Sequence, residues 1–246
     1  MKNTKVKLNL EKLLDLNIRL LSKLSVEKFI QILIDEPPMA FNMNSGEITG
    51  SYDEEEIKNL IKAKKNLTLI SAFEKIKSLK YDETKIIENF KNDIYNSVSE
   101  IKDKINTDNK GFKNQIIFLE HDLQPFAYFC GFGKGNYPIL DSPALFEYNY
   151  KEELYNGIGK IDYSEIWTDL LNFNEILEEL NIFDQIIDTE FYQAILNCVH
   201  FKTYLLLHEA FHQIGIEAFN GIEIEKPLFI YANEHDCEAM NIAIIE

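Results

Sequence analysis

His208-Glu209-Ala210-Phe211-His212 sets two imidazoles four residues apart with a carboxylate beside the first. On a helix, positions i and i+4 lie one above the other on a single face. His208 and His212 can therefore offer two nitrogens to one metal ion, while Glu209 reaches a water beside that ion without being a ligand. Two histidine ligands, a third protein ligand, an open position and a carboxylate base together make a zinc hydrolysis centre. The flanks agree with a helix: Tyr204-Leu205-Leu206-Leu207 precedes the motif, Gln213-Ile214-Gly215 follows it, and no proline intervenes. The competing reading is a helix that carries two unconnected histidines.

Two histidines hold zinc weakly, so a third ligand must come from elsewhere in the chain. Downstream, the stretch Tyr231–Ala243 has helical character, and Glu234 and Glu238 stand four apart within it, on one face of such a helix. His235 and Asp236 also have ligand chemistry. The motif, with uncharged Ala210, Phe211 and Gln213, resembles that of the zincin metallopeptidases. It departs from the metzincin branch, whose third histidine would fall at Ala218. Asn233-Glu234 followed by Glu238 is similar to the gluzincin pattern N-E-x-x-x-D, with glutamate at the last position. It is also similar to E-x-x-A-D, with Cys237 where alanine is usual.

That resemblance spans residues 204–243. It implies a zinc metallopeptidase in which His208, His212 and Glu234 bind Zn²⁺. Glu209 would be the general base of a metal-activated water, and Glu238 the carboxylate orienting a histidine or an alternative ligand. It also implies a peptide or protein substrate and a second donor to the developing oxyanion, for which His121, Tyr231 and Tyr137 are candidates. Two other classes stay open. One is a non-catalytic binding or regulatory protein on a zincin-like scaffold; the other is a helical interaction protein with a chance motif.

Composition narrows the classes further. The formal charge of −16 argues against binding to nucleic-acid backbones or to anionic membranes. Cys130, Cys198 and Cys237 are an odd number without regular spacing, so neither a disulfide framework nor a thiolate zinc site is expected. No run of about 18 apolar residues predicts a membrane span. The basic start lacks the apolar core of a secretory signal, which makes the cytoplasm the expected compartment.

The elements that must position these residues read as mostly helical α+β. Leu10, Leu13, Leu14, Leu21 and Leu24 form one stripe, and Ser25 caps a second segment that Pro37-Pro38 stops. Ser51-Tyr52-Asp53-Glu54 has the form of a capping box. Ile87, Phe90, Ile94, Val98, Ile101 and Ile105 predict a long amphipathic helix over 82–105. From residue 114, the runs 115–119, 126–130 and 138–146 are rich in β-formers and predict a small antiparallel or mixed sheet of two to four strands. The zincin resemblance implies that one of these strands lies beside the active-site helix and holds substrate by β-augmentation. Gly131-Phe132-Gly133-Lys134-Gly135 reads as a hairpin turn rather than a phosphate loop, since G-x-x-x-x-G-K-[ST] is missing. Helices resume near Ser164, and another runs from about Thr189 through the motif to Gly215, with His200 as a packed or surface histidine. A loop through Asn220-Gly221 and Pro227 then returns the chain to complete an active-site helix pair. These readings divide the chain into a helical region, 1–110, and a zincin-like region, 111–246.

Overall fold

The computed structural model describes residues 2–37, 40–42, 47–49, 52–108, 113–121, 124–135, 137–145, 153–234 and 238–246. Its contacts divide the chain differently from a cut at residue 110. One unit comprises Met1–Leu14, Tyr81–Trp167 and His200–Glu246, and the other Asp15–Lys80 and Thr168–Val199. Among the described residues, no helix is long and apolar enough to cross a membrane.

The first unit is built on a five-stranded mixed sheet. Its strands are β3 (Asn114–His121), β4 (Phe126–Phe132), β5 (Glu153–Asp162), β6 (Ile224–Glu234) and β7 (Met240–Ile245), in the order β5-β4-β3-β6-β7. Only the β3–β6 pair is parallel; the other neighbours are antiparallel. Ile116, Ile117 and Leu119 of β3 and Leu228, Ile230, Tyr231 and Ala232 of β6 are fully buried. Such continuous apolar runs belong to interior strands covered on both faces.

Of the stretch Tyr231–Ala243, expected to be helical, residues 231–234 are the end of β6 and residues 240–243 the start of β7. Phe229-Ile230-Tyr231 and Ile242-Ala243-Ile244-Ile245 are β-branched and aromatic runs, and a buried strand shows the same apolar continuity as a buried helix. The helix that carries His208 and His212 thus has an antiparallel strand pair where a second helix was expected. Two further differences concern the strands before residue 163. β5 has no clear strand signature in the sequence, because Gly157 and Gly159 interrupt its pattern. Of the run 138–146, the described residues form only a bridge between Ala144 and Ala239, and Phe146 lies outside them.

Helix α5 (Glu83–Asp108) packs along β5 and buries Ile86, Phe90, Ile94, Val98 and Ile101; Ile86 rather than Ile87 faces inward. Gly159, at φ +68°, permits the closest approach, since a Cβ there would lie 2.3 Å from the Ser97 side chain. The opening turns of α1 (Lys2–Ser22) belong to this unit and are seated by Val6 and Leu10, both fully buried. Helix α8 (Glu190–Ile214) ends one residue before Gly215, as its pattern predicts. Its second half buries Phe201, Tyr204, Leu206, Leu207, Ala210 and Phe211.

The second unit is helical, with a two-stranded pair of β1 (Ala40–Asn42) and β2 (Glu47–Thr49). Ser25 caps α2 (Val26–Asp35) by accepting the Lys28 N–H. The capping box of α3 (Glu54–Lys64) uses Asp53 and Glu56 rather than Ser51, which lies outside the described residues. With α4 (Leu67–Ser78), the core is aromatic: Phe29 stacks on Phe191 at 4.1 Å and Phe73 sits 5.1 Å from Phe191. Helix α6 (Ser164–Glu179), whose first turn belongs to the first unit, begins where predicted and is followed by the short α7 (Phe183–Ile186).

Candidate metal centre

Helix α8 carries His208, Glu209 and His212. The two imidazole rings lie 6.3 Å apart between centroids and within 11° of parallel, as the four-residue spacing requires. His208 is buried, and its Nδ1 lies 2.7 Å from the Ile242 carbonyl oxygen of β7. A carbonyl only accepts, so Nδ1 carries the proton and Nε2 carries the lone pair. A ring held this way presents Nε2 as a ready ligand or base. Burial pushes the His208 imidazole below its ordinary range, which keeps that lone pair free of a proton at neutral pH. His212 is exposed and borders a cavity of about 200 Å³ with Asn3, Phe211, Gly215, Ile216 and Ile244.

Glu209 is half-buried, and its Oε1 accepts a hydrogen bond from Lys7 Nζ on α1. That ammonium holds the carboxyl below the usual carboxylate range. Four residues before Lys7, Asn3 Oδ1 accepts the Ile244 N–H at 3.1 Å, on the strand that closes the sheet at this end.

Glu234 is the last residue of β6 and is half-buried, in register with His121 of β3. Glu238 is exposed and precedes β7. Because Glu234 closes a strand, it does not share a helical face with Glu238. His235, Asp236 and Cys237 lie outside the described residues. Among the described residues, no three histidine, cysteine, aspartate or glutamate side chains form a group able to hold a metal ion. The structure therefore brings together His208, Glu209 and His212, two imidazoles that suit zinc and a carboxylate beside them. It does not join Glu234 or Glu238 to them.

The three candidate oxyanion donors are engaged elsewhere. His121 is buried, with Nε2 3.0 Å from the Tyr204 hydroxyl. Tyr231 donates to the Pro138 carbonyl and Tyr137 to the Gly133 carbonyl. His200 is packed rather than exposed, stacked on Trp167 at 5.1 Å. The groups that sequence reasoning missed are Lys7, Asn3 and the Ile242 carbonyl. Asn3 and Lys7 share a helical face by spacing, but no local signal ties them to residues more than two hundred positions away. The edge strand that contacts His208 is β7, not a strand of the 115–146 region. Compared with protein-family models, curated proteins and solved structures, the chain shows no match.

Proposed function

We propose that this protein is a zinc-dependent metallopeptidase whose metal is held by His208 and His212. Glu234, with Glu238 as the alternative, would have to move toward them to serve as third ligand, since neither carboxylate is joined to the imidazoles among the described residues. The observation that carries the reading is the His208 Nδ1 to Ile242 contact at 2.7 Å, which puts the proton on Nδ1 and the lone pair on Nε2 of a ring that shares a helical face with His212. Zn²⁺, when bound, supplies a Lewis acid that acidifies water and polarises a carbonyl. Glu209 takes the proton of the attacking water as its oxygen bonds to the peptide carbon. It then delivers that proton to the amine nitrogen as the C–N bond breaks. Lys7 must leave Glu209 before that transfer, because a carboxylate oxygen engaged by an ammonium is a poorer proton acceptor. The acidic chain favours peptide or protein substrates over nucleic acid.

A second reading is a binding or regulatory protein on the same scaffold. It is favoured by the Lys7–Glu209 pair, which occupies the base. Metal analysis separates the two. The peptidase reading expects about one equivalent of zinc in the purified protein, lost in His208→Ala and retained in Glu209→Gln. Wild-type protein that takes up no zinc overturns it. Zinc-loaded protein whose cleavage of a random peptide library is unaffected by Glu209→Gln would remove Glu209 from the role of base. Zinc without any cleavage would favour the binding protein.

A further inference from the structure

We propose that the first two turns of α1 are a built-in cap on this site, Lys7 competing with incoming peptide for Glu209 and Asn3 competing for the edge of β7. The inference rests on the metallopeptidase reading above and concerns the regulation of that same site. Asn3 and Lys7 stand four residues apart on one face of α1 and reach two different parts of the site. Lys7 Nζ occupies Glu209 Oε1, and Asn3 Oδ1 occupies the Ile244 N–H. An outward N–H on a sheet edge is the donor an extended peptide uses when it adds to a sheet. Asn3 also borders the cavity that His212 opens into. One helical face thus covers the base, the strand edge and the approach to one imidazole.

The cap is local. Val6 and Leu10 are fully buried, Lys5 pairs with Asp141 at 2.9 Å, and Asn9 donates to the Leu140 carbonyl at 3.0 Å. These contacts keep the helix seated. The Lys7 side chain is 42% exposed, so it can swing off Glu209 without unseating the helix. Asn3 lies in the first turn of α1, and helix ends fray. Peptide binds the uncapped population, and its apparent affinity falls by that population's fraction.

The test is calorimetric titration of the zinc-loaded full chain with an uncharged N-acetyl-dileucyl hydroxamate, a chelating peptide analogue, with zinc content measured on the same samples. Lys7→Met should bind the probe about fivefold more tightly than wild type, and Lys7→Met with Asn3→Ala about twentyfold. Wild-type affinity should also rise with ionic strength, which screens the part-exposed pair, while that of Lys7→Met should not. Equal affinity in zinc-loaded wild type and variants, including none in any, overturns the cap and leaves the proposed function standing. Weaker binding by Lys7→Met also overturns it, by making Lys7 part of the peptide site. Zinc in none of them overturns the proposed function and the cap together. If Lys7→Met does not fold, the salt titration of wild type decides, and a flat response overturns the cap.

Discussion

Helix α8 presents polar rings at one four-residue spacing twice over, His200 with Tyr204 and His208 with His212, and the two pairs end in opposite chemical states. His200 is buried against Trp167, Tyr204 and His121, with ring centroids 5.0–6.0 Å away. Its Nε2 has no hydrogen-bond partner among the described residues. His208 is also buried, but its proton is assigned by the Ile242 carbonyl, and its neighbour His212 is exposed beside a cavity. Spacing along a helix decides which rings share a face. What packs against each turn decides whether a ring becomes core or chemistry. At the upstream turn, β3 and α6 supply aromatic side chains; at the downstream turn, β7 supplies a backbone carbonyl.

Breaking the cluster packed on the upstream pair should have the largest effect. Trp167 is 1% exposed, stacks on His200 and donates its indole N–H to Thr203 at 3.1 Å. Trp167→Ala should cost about 3–5 kcal/mol, read as a fall in denaturant midpoint. A loss under about 1 kcal/mol would mean that this cluster is not core at all.

The next effect sharpens the contrast through pH. Burial, and after it His121, holds the His200 imidazole well below the ordinary histidine range. In the unfolded chain the ring takes up its proton near pH 6.5. Between that pH and the depressed folded value, the unfolded state binds the extra proton, so stability falls as pH drops. The contribution is complete above the unfolded value and is lost on acidification, by at most about 1.4 kcal/mol per pH unit for one proton. In zinc-free protein, His200→Phe should flatten this acid slope between pH 7.5 and 5.5, measured by urea unfolding. An unchanged slope would assign the acid response to other groups.

The smallest stability effect belongs to the open site. Lys7 and Glu209 are 42% and 30% exposed at their side chains, so Lys7→Met should change unfolding free energy by no more than about 1 kcal/mol. A larger loss in the thermal midpoint would make the pair structural and weaken the contrast between the two turns.

How much of this was legible varied with how local each cause is. Helix α8 was read to within a residue at both ends because its apolar run, its unbroken helix formers and Gly215 act within a few residues. Ser25 as a cap and the buried stripe of α5 were legible for the same reason. The strands β6 and β7 were not. A short buried apolar run carries no period that separates strand from helix, and the two glutamates four apart lent a helical look to a segment that is extended at both ends. The position of Ile242 beside His208, 34 residues away, follows from that strand pair and could not be read without it.

What the sequence determined by itself is the pairing of His208 with His212 on one helical face, with Glu209 beside them. That is a consequence of 3.6 residues per turn and needs no other part of the molecule. The tertiary structure alone decided which nitrogen of His208 holds its proton, that Lys7 rests on Glu209, and that Asn3 rests on the edge of β7. These depend on strand pairing and helix seating across as many as 241 residues. Hydrogen bonds between such distant groups are set by the packed core that brings them together, not by their own spacing in the chain.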